Sequence, residues 1–136
     1  MTAADDSDDT VYTVAFRDGK FLMVWNPKRE GWEMPGGHVK KGEDFAAGAA
    51  REFSEESGWT AEIVKIRDLG HCRVCAGILV GEPSPDREME YRLFSELPEE
   101  LAFPREEYLD TVPWAEKAVY GTGDSLYVQR NVIKLK

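Results

Sequence analysis

A single run of helix formers, Asp44 to Ser57, stands between two groups of strand-like segments, and this order constrains the fold more than any other feature of the chain. Only Gly48 interrupts the run; Asp44 is suited to cap its start and Gly58 to end it. Before it, Val11 to Phe16 and Phe21 to Trp25 are rich in β-branched and aromatic residues, and Asp18-Gly19 suits a tight hairpin turn between them. Pro27 to Gly31 reads as a loop, Trp32 to Met34 as a short strand, and Pro35-Gly36-Gly37 as a sharp turn whose glycines permit positive φ and close backbone approach. After the helix, Ile63 to Ile66, Val74 to Val80 and Arg87 to Phe94 read as strands. In the last of these Met89, Tyr91 and Leu93 share one face, and Glu88, Glu90 and Arg92 the other. Pro113 to Tyr120 suits a helix with proline in its first turn, stopped by Gly121, while Leu126 to Lys134 fits either period. Strands on both sides of one central helix predict an α/β sandwich with a mixed sheet.

With 136 residues, 42% of them hydrophobic, the chain suffices for one domain with a core that needs no disulfide. Residues 1–10 carry Asp5, Asp6, Asp8 and Asp9 without a basic residue, so a disordered acidic leader is expected there and a single domain over 11–136. The formal charge of −9 argues against a nucleic-acid partner, which would call for excess Lys and Arg. The longest uncharged apolar run, Val74 to Val80, is far too short to span a bilayer, and the first ten residues resemble no signal peptide. A soluble, cytoplasmic protein without membrane partners is therefore expected, as a monomer or homodimer.

The chemistry concentrates in residues 37–59, GHVKKGEDFAAGAAREFSEESGW. At about 100° per residue, Glu52, Glu55 and Glu56 fall within one helical arc of about 100°. Like charges at these spacings destabilise a helix, so keeping three together invites a counter-ion. Carboxylate and backbone oxygens are hard ligands that suit Mg²⁺ or Mn²⁺. An apolar face of Phe45, Ala46, Ala49, Ala50 and Phe53 lies beside this arc, its alanines allowing close approach to a sheet. Arg51 flanks the arc and is suited to hold Glu43 or a metal carboxylate in place.

This segment resembles the signature of the Nudix hydrolase superfamily: Gly37, Glu43, Arg51, Glu52, Glu55, Glu56 and Gly58 stand at its offsets, and Pro35-Gly36 and Gly42 match as well. Trp59 is bulkier than the aliphatic residue usual at the last position, a departure expected to affect packing more than chemistry. The resemblance implies an α/β/α sandwich and a metal-dependent pyrophosphohydrolase that cleaves a nucleoside diphosphate linked to another moiety. It implies Glu52, Glu55, Glu56 and the Gly37 carbonyl as metal ligands, Glu43 as a helper bonded to Arg51, and Mg²⁺, with Mn²⁺ as a substitute. Glu55 is the first choice for general base. A nucleoside triphosphate, cleaved to monophosphate and pyrophosphate in a MutT-like housecleaning role, is the expected substrate. ADP-ribose and dinucleoside polyphosphates are alternatives, but the proline or tyrosine looked for after the signature is missing from Arg73 to Ala76. A silent nucleotide-binding Nudix domain is the alternative of another class, although no metal carboxylate has been lost. A merely solvated acidic helix would need neither Gly37 nor Gly58 at its spacing.

Outside the signature the signals are weaker. The resemblance implies that a further acid can come from outside the signature. Glu88, Glu90, Glu96, Glu99, Glu100, Glu106 and Glu107 are on offer, most of them ordinary surface, with Glu96 and Glu99, in a loop that can fold back over the site, ahead of Glu88 and Glu90. His38, Lys40 and Trp32 are candidates to touch substrate; Lys28, Arg29 and Lys41 join Lys40 as candidates to steer it, and Trp25, Tyr12 and Trp114 are further stacking candidates set against a core role. Cys72 and Cys75 form a lone C-x2-C beside His71; without a second pair a tetrahedral zinc site lacks ligands, and in a strand the two thiols point to opposite faces, so free thiols are expected. Of the nine net negative charges, four lie in the leader and four are Glu43, Glu52, Glu55 and Glu56, which leaves the rest of the chain at −1. The pattern is a near-neutral domain with an acidic leader and one focused cation site.

Overall fold

The computed structural model describes residues 9–121. Most of the acidic leader and the segment from Leu126 to Lys134 lie outside them. The elements in chain order are β1 (Thr10–Arg17), β2 (Lys20–Asn26), β3 (Gly31–Glu33), β4 (Gly36–His38), α1 (Phe45–Ser57), β5 (Thr60–Asp68), β6 (Arg73–Val80), β7 (Tyr91–Phe94) and α2 (Arg105–Tyr120). No helix among the described residues is long and apolar enough to cross a membrane.

The strands form one mixed sheet in the order β3-β2-β1-β6-β5, with β4 paired to β1 and β7 to β2. Only β1 and β6 run parallel among these named pairs. Both faces of the central strands are buried, which is why VAF in β1, FLMV in β2 and VCA in β6 are continuous apolar runs. Alternate residues go to opposite layers. Val14, Phe16, Met23, Val74 and Ala76 pack with Tyr108 and Ala115 of α2, whereas Ala15, Leu22, Val24 and Leu79 pack with Phe53 of α1. The expected α/β/α sandwich is thus formed.

Local chemistry accounts for the turns. Asp18 and Gly19 both take positive φ, 53° and 78°, as a two-residue primed hairpin turn requires. Asp44 accepts from the amides of Ala46 and Ala47 to cap α1, and Gly58 ends it at φ 82°. Trp59 is buried with Tyr91 edge-on against it and the Arg17 guanidinium over its ring, so its bulk is absorbed by packing.

Beyond small shifts at strand ends and a β5 longer than Ile63 to Ile66, three boundaries differ from the sequence reading. Pro35-Gly36-Gly37 is no sharp turn: residues 36–38 form β4, with Gly36 opposite Tyr12 and Gly37 opposite Val11, and neither glycine has positive φ. The strand expected from Arg87 begins only at Tyr91, because the amides of Glu88 and Met89 instead donate to the carbonyls of Glu55 and Glu56. The last helix starts at Arg105, so Pro113 lies in its interior. Proline there cannot donate to the Leu109 carbonyl, but Leu109 is 60% exposed, and water can serve that carbonyl instead.

Phe53 is fully buried where α1 meets the sheet. Phe53→Ala is expected to lower the unfolding free energy by about 3–5 kcal/mol, measured by urea denaturation. A loss below about 1 kcal/mol would contradict this packing.

Candidate active site

The end of α1 and strand β4 build the site between them. Gly36 N–H donates to Glu56 Oε1 at 3.1 Å. A Cβ on Gly36 would collide with the β1 backbone at Val11 and Tyr12, and one on Gly37 would collide with the Glu52 carboxylate. The two glycines therefore serve close approach: they let a strand backbone lie directly against two carboxylates.

Arg51 organises the opposite side. Its Nε donates to Glu43 Oε2 at 2.9 Å and its Nη2 to Glu43 Oε1 at 3.0 Å, a bidentate pair. Its Nη1 reaches Glu52 and Glu55, each at 3.3 Å, and its Nη2 the His38 carbonyl at 3.2 Å. Lys40 N–H adds a bond to Glu43 at 2.9 Å. The Arg51 hydrogen bonds and then the Lys40 amide hold the Glu43 carboxyl down at about 2, and Glu43 in turn raises the pKa of Arg51.

The remaining carboxylates are less well compensated. Burial raises the Glu52 pKa, aided by the charges of Glu55 and Glu88 and opposed by Arg51. Glu56 is pushed up to about 8, mainly by burial; the Gly36 amide opposes this, and the charges of Glu33, Glu52 and Glu88 add to it. Glu55 is the most open of the three, its side chain 46% exposed against 18% for Glu52. Half-buried oxygens that repel one another, beside a backbone that admits no side chain, form a donor set that fits a hard divalent cation.

A cleft of about 560 Å³ extends from Gly36 and Gly37 toward the start of α2. Tyr12, Met34, Phe103 and Tyr108 give it apolar walls, and Asn26, Glu33, Arg29 and Glu107 are among its polar groups. Asn26 Nδ2 donates to Glu33 at 3.1 Å, and burial raises the Glu33 pKa. The Arg29 guanidinium lies 4.6 Å over the Phe103 ring at the cleft wall.

The sequence candidates divide accordingly. Glu43, Arg51, Glu52, Glu55, Glu56 and Gly37 come together; His38 and Tyr12 line the cleft. Lys40 contacts Glu43 through its backbone, and of the steering group Arg29 reaches the cleft. Trp32 packs in the core against Trp25 and Phe94, and the Trp114 ring is covered by Arg67. Glu96 and Glu99 are exposed and are not among the cleft residues. Two acids outside the signature act on the cluster by charge: Glu33, which lines the cleft, and Glu88, held near the end of α1 because its amide and that of Met89 donate to the carbonyls of Glu55 and Glu56. A strand assignment from Arg87 does not show that use of the Glu88 backbone. Glu107, one of the acids on offer, lines the cleft, and it is joined by Asn26, Glu33, Phe103 and Tyr108, which no sequence signal marks; these come from four separate segments and share no local spacing.

The family model described as the NUDIX domain matches residues 7–124. No curated protein sequence matches the chain significantly. Among solved structures, a NUDIX hydrolase from Nitrosomonas europaea is similar at 23% identity and a TM-score of 0.62, over 84% of this chain and 71% of that one. A pyrophosphohydrolase from Bacillus subtilis is similar at 25% identity and 0.62, over 87% and 84%. A MutT NUDIX hydrolase from Burkholderia pseudomallei is similar at 24% identity and 0.51, over 69% and 88%.

The raised Glu56 pKa gives a testable sign. Between its ordinary value of 4.5 and about 8, the folded state keeps a proton that the unfolded chain has lost. Glu56 therefore favours the fold most below pH 4.5, and this contribution is lost as pH rises toward 8. In chelator, Glu56→Gln should raise the melting temperature relative to the parent, by a margin that widens from pH 5 to pH 8. A margin independent of pH would refute the burial argument.

Proposed function

Because the chain belongs to the Nudix family, as a hydrolase of pyrophosphate bonds, we propose that it is a Mg²⁺-dependent enzyme acting on a nucleoside triphosphate, releasing the monophosphate and pyrophosphate. The observation that carries this reading is the contact of Gly36 and Gly37 with Glu56 and Glu52 at the end of a partly aromatic cleft. Glu52, Glu55, Glu56 and the Gly37 carbonyl are assigned to hold the cation, with Glu88 the additional acid beside them. Bound there, Mg²⁺, or Mn²⁺ in its place, supplies charge neutralisation at the polyphosphate and a lowered pKa for water.

The protein's own residues do the rest. Arg51, fixed by its bidentate bond to Glu43, keeps Glu52 and Glu55 on one side of the helix. Glu55, the most exposed of the three, is assigned to accept the proton of the attacking water. Tyr12 and Phe103 offer ring surface for a base, and a cleft of about 560 Å³ is of a size for one nucleoside. Arg29 brings a positive charge to the wall along which a polyphosphate would enter. The cytoplasm, where nucleotides and Mg²⁺ are both abundant, is the compartment we propose.

Glu55→Gln should lower kcat by about 10²–10⁴-fold with the far-ultraviolet spectrum unchanged. A panel of nucleoside triphosphates, ADP-ribose and dinucleoside polyphosphates, assayed with Mg²⁺ or Mn²⁺ and pyrophosphate or phosphate detection, tests the substrate. Turnover confined to ADP-ribose would overturn the triphosphate assignment, and wild-type rates in Glu55→Gln would overturn the role of Glu55.

A further inference from the structure

Cys72 ends the β5–β6 turn, which is held by Leu69 N–H donating to the Cys72 carbonyl at 2.8 Å and Gly70 N–H donating to Asp68 Oδ1 at 2.8 Å. The lone C-x2-C has no second pair, but a third donor arrives from elsewhere: Glu107, in the first turn of α2, lies 3.0 Å from His71 Nε2 through its Oε1. One ligand atom from each of His71, Cys72 and Glu107 lies within 4.8 Å of the others. Cys75 takes no part, because it is buried on the opposite face with Val39 and Ala49.

We propose that His71, Cys72 and Glu107 form a second cation site, suited to Zn²⁺, on the wall of the cleft and separate from the carboxylate site on α1. One imidazole nitrogen, one thiolate and one carboxylate form a borderline donor set that favours Zn²⁺ over Mg²⁺, the reverse of the all-oxygen set of Glu52, Glu55, Glu56 and Gly37. Three protein ligands leave a fourth tetrahedral position for water or a ligand group. The fit does not rest on proximity alone. Tyr12 O–H donates to Glu107 Oε2 at 2.6 Å, a supporting bond that fixes the carboxylate and leaves Oε1 for the ion. The hydrogen bond between His71 and Glu107 is replaced by the ion, and the Cys72 thiol proton passes to solvent. His71 is 65% exposed, so entry to the site is open. All three donors line the same cleft as Gly36 and Gly37, so a bound Zn²⁺ would lie where it can meet whatever occupies that cleft.

The experiment uses the full chain in excess Mg²⁺, which fills the all-oxygen site, and titrates Co²⁺ as a spectroscopic probe, followed by Zn²⁺ competition. The parent should develop a thiolate-to-cobalt charge-transfer band saturating at one equivalent and bleached by Zn²⁺. Cys72→Ser should abolish the band and weaken Zn²⁺ binding by about 100-fold or more, whereas Tyr12→Phe should weaken it about 10-fold, as loss of a supporting hydrogen bond does. Cys75→Ser should keep the band. A band that survives Cys72→Ser, or Zn²⁺ affinity equal in the parent and Cys72→Ser, would overturn the site. Circular dichroism of each variant separates loss of a ligand from loss of the fold. None of these readouts depends on turnover, so the site stands or falls separately from the hydrolase reading.

Discussion

Mutual repulsion among carboxylates on one helix face is the constraint around which this molecule is arranged. Glu52, Glu55 and Glu56 are spaced so that a helix must bring them together, and in isolation each close pair would destabilise α1 by a few tenths of a kcal/mol. Two devices offset the repulsion. Arg51 spreads its donors over Glu43, Glu52 and Glu55, and Gly36 presents a backbone amide to Glu56. Neither neutralises the site. Glu56 stays far above the usual carboxylate range because burial outweighs its single amide bond, which leaves a demand for positive charge that a cation can meet.

The sheet makes this strain tolerable by fixing the glycines. β1 is antiparallel to β2 and β4 and parallel to β6, so β4 is held against a largely buried central strand. Phe53 and Ala49, both buried, anchor α1 on the sheet beside β4. Burial of large apolar side chains at roughly 1.5–3 kcal/mol each exceeds the few tenths lost to each charge pair. Packing, not electrostatics, therefore decides where the carboxylates sit.

How much of this was legible follows from distance along the chain. The helix, its caps, the acidic arc and the Arg51–Glu43 partnership all lie within residues 43–58, where helical periodicity converts spacing directly into geometry. The Asp18-Gly19 hairpin was readable for the same reason, since two residues dictate one turn. Pro35-Gly36-Gly37 misled because glycine has two uses, positive φ and small size, and composition does not separate them; only the approach of Glu52 and β1 shows which applies. Glu88 and Glu107 were hidden by tertiary structure. Glu88 reaches the site because the end of α1 needs backbone donors, and Glu107 reaches His71 because α2 starts two turns earlier than Pro113 suggested.

The same accounting explains how an acidic protein can admit an anionic substrate. Two cleft acids carry their own local compensation: Glu33 accepts from Asn26 and feels Arg29, and Glu107 accepts from Tyr12 and contacts His71. Four of the nine net charges lie in the leader and four in the cluster around Arg51. Arg29 on one side and the carboxylate cluster at the end thus add to the field along the cleft, and on the proposed reading a cation in that cluster would reverse its repulsion. An empty cluster would repel a polyphosphate, so on the proposed metal-dependent reading a bound cation would favour substrate binding as well as chemistry.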